Sequence, residues 1–107
     1  MMKVKSTGLV YRNPKPFLRA VNAWHPSPVL MPDGTLVVSL DLGQAVESLD
    51  YRTYLSRSTD EGAHWTEPAP IFTDSVPRRT SHSVRVGRAA DGTLIAMGGR
   101  FYRDNPE

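Results

Sequence analysis

The chain has 107 residues and no cysteine, with 39% hydrophobic and 22% charged residues and a formal net charge of +2. Disulfides, thiol catalysis and cysteine metal sites are excluded at once. No apolar run is long enough to span a bilayer, and the spread-out charges form no basic stripe for nucleic acid. Residues 1–10 alternate polar and apolar side chains and show no signal peptide. That start is read as carrying no export signal, which leaves the compartment open.

Nine prolines and eight glycines are scattered along the chain and leave no window for a long helix. The predicted elements are therefore strands. Pro28–Met31 and Leu36–Leu42 flank Asp33-Gly34, a hairpin signal because both residues tolerate positive φ. A third strand is predicted over Tyr51–Arg57, and a short, proline-edged fourth over Glu67–Phe72. The pattern then restarts. Ser83–Arg88, Asp91-Gly92 and Thr93–Arg100 read as strand, turn and strand, and Asp33-Gly34-Thr35-Leu36 recurs as Asp91-Gly92-Thr93-Leu94. A repeat of four strands suggests propeller blades. One blade cannot bury both of its faces, so the chain is expected to need the remainder of a propeller, or copies of itself, as partner.

Between the third and fourth strands stands Ser58-Thr59-Asp60-Glu61-Gly62-Ala63-His64-Trp65, a Ser-x-Asp-x-Gly-x-x-Trp box. Ser58 and Asp60 suit capping of a tight turn, Gly62 a left-handed backbone, and Trp65 packing between layers. His64, at a variable position of the box, is expected to be exposed. The box resembles the Asp box of sialidase-like β-propellers, where it is a structural staple away from the active site. The resemblance covers roughly residues 22–100 and implies an all-β, six-bladed propeller of which this chain holds about one and a half blades. Residues 1–21 would be an N-terminal segment offering a closing strand, 22–74 the first blade, and 75–107 the first half of a second.

The resemblance implies exo-hydrolysis of a terminal sugar of a glycan, sialic acid in the family itself. The family uses a tyrosine nucleophile activated by a glutamate, an aspartate acid/base, and three arginines that clamp the substrate carboxylate. Asp50, eight residues before Ser58, holds the place of the acid/base. The first clamp arginine belongs to an Arg-Ile-Pro motif; here that stretch is Trp24-His25-Pro26, with Trp24 at the arginine position. The remaining clamp arginines, the tyrosine and the glutamate are expected beyond Glu107. An exported or periplasmic setting is what the family would imply.

Trp24, His25, His82 and Arg85 lie near the starts of the two inner strands, where they would line a sugar-binding floor; tryptophan stacks on sugar faces and histidine bonds hydroxyls. The plain alternative for both histidines is a turn position. Two histidines 57 residues apart make no zinc motif, and no cofactor is expected. The loop from Asp41 to Arg52 carries Asp41, Glu47, Asp50 and Arg52. Glu47 and Asp50 could form a carboxylate pair for another glycosidase class, and Arg52 could bind substrate or pair with its loop. Gly98-Gly99 is read as a bulge or close packing, with Arg100 as an anion contact. Two other functions stay open: a noncatalytic carbohydrate- or protein-binding propeller, and a truncated product without activity of its own.

Overall fold

The computed structural model describes residues 2–14, 21–46, 48–72 and 80–102. They form two antiparallel sheets. The first takes β1 (Asn22–Leu30), β2 (Leu36–Gly43), β3 (Arg52–Ser58) and β4 (Ala69–Pro70) in that order; the second pairs β5 (Thr80–Arg88) with β6 (Leu94–Tyr102). The expected strands are all present, with shifted bounds. β1 and β5 begin earlier than their apolar runs, and the fourth strand is two residues long, pairing Tyr54 with Pro70 and Leu55 with Ala69. Prolines at 68 and 70 explain the shortness, since proline gives no N–H to a ladder.

Both Asp-Gly hairpins form, by a different turn from the one their sequence suggests. Only the glycines have positive φ, +89° at Gly34 and +89° at Gly92. Gly34 N–H donates to Met31 O, and Asp33 accepts the Thr35 N–H at 3.0 Å; Gly92 N–H donates to Ala89 O, and Asp91 accepts the Thr93 N–H at 2.9 Å. The aspartate thus caps the turn, and the left-handed step falls on glycine alone. The four-residue repeat is a repeat of geometry as well. Gly98 demands glycine for a different reason: a Cβ there would stand 2.1 Å from the Ser83 carbonyl oxygen.

β2 is the buried centre, and its alternation divides the molecule. Val38, Leu40 and Leu42 face a core closed by Val10, Tyr11, Tyr54 and Trp65. Val37, Ser39 and Asp41 point the other way and are fully buried, on the side where β5 packs across β1, β2 and β3. Small side chains there bring the sheets close, and Ser27 Oγ donates to Val86 O across the junction at 3.1 Å. Because burial of Val38, Leu40 and Leu42 removes whole side chains from water, each contributes about 1.5–3 kcal/mol to the first sheet.

At the far end of β3 the Asp box closes on itself. Ser58 Oγ donates to Asp60 at 2.8 Å and accepts the Gly62 N–H at 2.9 Å; Asp60 accepts the His64 N–H at 2.9 Å; Trp65 Nε1–H donates to Gly62 O at 3.1 Å. Hydrogen bonds from the His64 backbone and ring, then from Ser58, hold the Asp60 carboxyl down at about 2. The His64 ring is exposed.

Gly34→Ala is expected to destabilise the chain by about 1–2 kcal/mol, the cost of a Cβ in a left-handed residue. Gly92→Ala should cost more, since its Cβ would also meet Pro32 Cγ at 3.1 Å. Urea unfolding of the two variants checks both the size and the order.

Candidate functional site

The site begins with a charge in a buried strand. Asp41 on β2 has a side chain 0% exposed, and four donors converge on it. Thr53 Oγ1 donates to Oδ1 at 2.5 Å; Tyr51 Oη donates to Oδ2 at 2.8 Å, Ser83 Oγ to Oδ2 at 2.7 Å, and His25 Nδ1 lies 3.1 Å from Oδ2. The Arg85 guanidinium stands 3.5 Å away. Burial pushes the Asp41 carboxyl up, but the bonds from Thr53, Ser83, Tyr51 and His25 outweigh it and the net direction is down. Asp41 is therefore a carboxylate. Tyr51 moves the opposite way, pushed up to about 12 by its own burial and by the bond and charge of Asp41.

Strand register assembles these groups. Trp24 on β1 and Thr53 on β3 sit opposite Asp41, on the same face of the sheet. Between Trp24 and Ser27 β1 holds one residue more than β2 opposite it, and His25 within that bulge has φ 52°. Such bulges re-aim side chains. Here the turned residue is brought onto Asp41 and onto Tyr51, whose Oη lies 2.8 Å from His25 Nδ1. Trp24 packs on the Tyr51 ring at 5.8 Å between centroids. The second sheet contributes Ser83 and Arg85, which share the outer face of β5; Arg85 Nη1 donates to Ser83 Oγ at 3.2 Å.

Three of the sequence-selected residues, Trp24, His25 and Arg85, thus gather around one buried carboxylate. The His25 side chain is 43% exposed and that of Arg85 46%, so the cluster has a buried floor and an open mouth. His82 is near but inside. It is 1% exposed, takes the Thr53 N–H on Nδ1 at 3.2 Å and meets the edge of Phe72 at 5.1 Å. Since Nδ1 accepts there, the neutral ring carries its proton on Nε2.

Arg52 lies on the opposite face of β3, beside Leu42, and donates to Leu49 O at 3.3 Å. Asp50 turns into its own loop, where its Oδ1 accepts from Ser48 Oγ at 2.5 Å and from the Gln44 N–H at 3.2 Å. Burial raises that carboxyl and these bonds bring it below the ordinary value. Its visible work is to draw Ser48 and Asp50 back against Gly43, which delivers Tyr51 to Asp41. Glu47, the other half of the suggested carboxylate pair, lies outside the described residues. Ser58, which opens the Asp box, is five rungs of β2–β3 register from Asp41, about 17 Å along the strands.

Among the described residues no three His, Asp or Glu side chains group in a way that would hold a metal ion. A cleft of about 630 Å³ opens at the Asp-box end, between residues 6–10 and the turn of Asp60 and Gly62. The Ser58 and Asp60 oxygens there are already bound within the turn, so the site is placed at the Asp41 end, where the partly exposed His25 and Arg85 side chains meet the buried carboxylate.

Sequence reasoning missed Asp41, Tyr51, Thr53 and Ser83 as a unit. The available signal was parity: Leu36, Val38, Leu40 and Leu42 occupy one face, and Asp41 shares the other with Val37 and Ser39. A charge at such a position calls for partners on the neighbouring layer.

Replacing Asp41 by Asn should cost about 3 kcal/mol, because buried donors lose an ionised acceptor. Since the folded state lowers the Asp41 pKa, its contribution is complete above the unfolded value near ~3.9 and fades as pH falls through the folded one. Acid unfolding of Asp41→Asn should accordingly be less steep than that of the wild type. Tyr51 has the reverse sign: its raised pKa stabilises the fold below pH ~10, and this is lost as pH climbs toward about 12. In an ultraviolet titration, Tyr51→Phe should remove a step near that upper value.

No protein family matches the chain, and neither a curated protein nor a solved structure does.

Proposed function

We propose that the chain is part of a sialidase-like propeller and that it takes part in hydrolysis of a terminal sugar carrying a carboxylate. The observation that carries the reading is the gathering of Trp24, His25 and Arg85 over the buried Asp41, at the end of the sheet away from the Asp box. The residue types suit such a ligand. Arg85 offers guanidinium N–H groups to a carboxylate, Trp24 an aromatic face to a sugar ring, and His25 a ring nitrogen to a hydroxyl or a glycosidic oxygen.

The partner expectation belongs to the same proposal. β6 has no strand on its outer edge among the described residues, and Ile95, Met97, Phe101 and Tyr102 are exposed. Further strands, from the rest of a propeller or from another copy, would cover that edge and those side chains.

A second reading has an observation of its own. Asp50, the acid/base that the resemblance implies, is bonded within its loop, and Trp24 stands where a clamp arginine would be. Both favour a noncatalytic sugar-binding propeller.

A panel of fluorogenic glycosides (N-acetylneuraminide, glucuronide, galactoside and glucoside) separates the two. The hydrolase reading expects release from the acidic sugars, and Arg85→Met should weaken their binding tenfold or more, as loss of a charged hydrogen bond does. Quenching of Trp24 emission in a Trp65→Phe background, without release, would select the binding module. Neither quenching nor release would reject the sugar site.

A further inference from the structure

We propose that His25 is the proton-transfer residue of this site and that Asp41 and Tyr51 are its positioning residues. The proposal rests on the glycosidase reading and assigns its acid/base chemistry to a side chain for which the resemblance supplies no role.

The argument is a proton count. Nδ1 of His25 lies 2.8 Å from Tyr51 Oη and 3.1 Å from Asp41 Oδ2. The single hydroxyl proton of Tyr51 is donated to Asp41 at 2.8 Å, and an ionised carboxylate can only accept. The proton between His25 and these two oxygens is therefore the ring's own, on Nδ1. With that tautomer fixed, Nε2 is the atom that gains or releases a proton. A buried carboxylate that holds an imidazole by Nδ1–H and leaves Nε2 for the reaction is the working arrangement of acid/base histidines.

Two further observations separate His25 from a structural histidine. Its backbone takes φ 52° in a bulge, a conformation that costs a residue with a side chain and persists where the surroundings impose it. Its side chain is 43% exposed, so the fixed ring opens on the same mouth as Arg85. Among the described residues, Asp41 from β2 and Tyr51 ahead of β3 bond its ring, and Arg85 from β5 approaches the same Asp41 oxygen.

The step balances. Charged His25 passes its Nε2 proton to the glycosidic oxygen as the bond from that oxygen to the anomeric carbon breaks, the oxygen keeping the bonding pair. Water forms the new bond to the anomeric carbon and releases a proton to Nε2, which restores the ring. Arg85 holds the sugar carboxylate throughout.

The test uses the propeller of which this chain is proposed to form part, and the fluorogenic acidic glycosides. His25→Asn is the informative variant, because asparagine accepts positive φ and its amide can replace the Nδ1 bond, while it has no Nε2. Its kcat should fall at least a hundredfold with KM within about threefold, and the pH profile should lose the limb that the ring supplies. His25→Gly should regain at least tenfold in kcat on addition of imidazole, and Tyr51→Phe should lower kcat and shift the same limb. His64→Ala, altered only in the ring beside Asp60, should behave as wild type. A His25→Asn enzyme within threefold of wild-type kcat overturns the role, as does a folded His25→Gly enzyme that imidazole does not restore. Either result, with active wild type, leaves the glycosidase reading standing. A wild type that hydrolyses none of the glycosides overturns both together.

Discussion

An ionised carboxylate with no exposure to water can exist only if the protein supplies the hydrogen bonds that water would have given. Asp41 receives them from both sheets: Thr53 and Tyr51 come from the strand beside it and the loop that leads there, Ser83 from β5. The first sheet alone would leave the carboxylate short of a partner, and β5 alone has no buried acceptor for Ser83. The packing of the two sheets and the charge state of Asp41 are thus one event. Desolvation raises the carboxyl and the convergent donors more than offset it, so the network is favourable only when complete.

From that requirement the site geometry follows. The small residues Ser27 and Ser39 let β5 approach the first sheet. The bulge in β1 turns His25 onto the carboxylate, and the Asp50 loop brings Tyr51 in beside it. Arg85 shares the outer face of β5 with Ser83, which puts a guanidinium above a buried negative charge and still in reach of solvent. A rigid floor of this kind preorganises the exposed groups at little entropic cost, which is what a binding or catalytic mouth needs. The Asp box contributes at a distance, by closing the other end of β3 and seating Trp65 against the apolar face of β2.

Much of the fold was legible because its signals are local. Asp33-Gly34 and Asp91-Gly92 mark turns by their own chemistry, and the alternation from Leu36 to Leu42 marks a strand. The turn type was not legible, since an aspartate can either adopt positive φ or cap the next N–H, and here it caps. The early start of β1 was hidden by Pro26 and Pro28, which argue against a strand until a bulge absorbs the first of them. In the site, Trp24, His25 and Arg85 could be chosen by type and place. Asp41 reads from sequence only as the end of a strand and the first charge of the loop to Arg52, because its partners Ser83 and Tyr51 lie 42 and 10 residues away and only the packing of the sheets unites them. Asp50 shows the converse: its position fits a family pattern, while its bonds are those of a loop cap.

The measurement closest to the centre of this account is a double-mutant cycle between Asp41→Asn and Ser83→Ala, read by urea unfolding. If the carboxylate joins the sheets, the two changes should couple by about 1 kcal/mol or more, as residues of one hydrogen-bond network do. Strict additivity, within about 0.3–0.5 kcal/mol, would mean that the sheets are held together without Asp41 and that the cluster is not the keystone of the site.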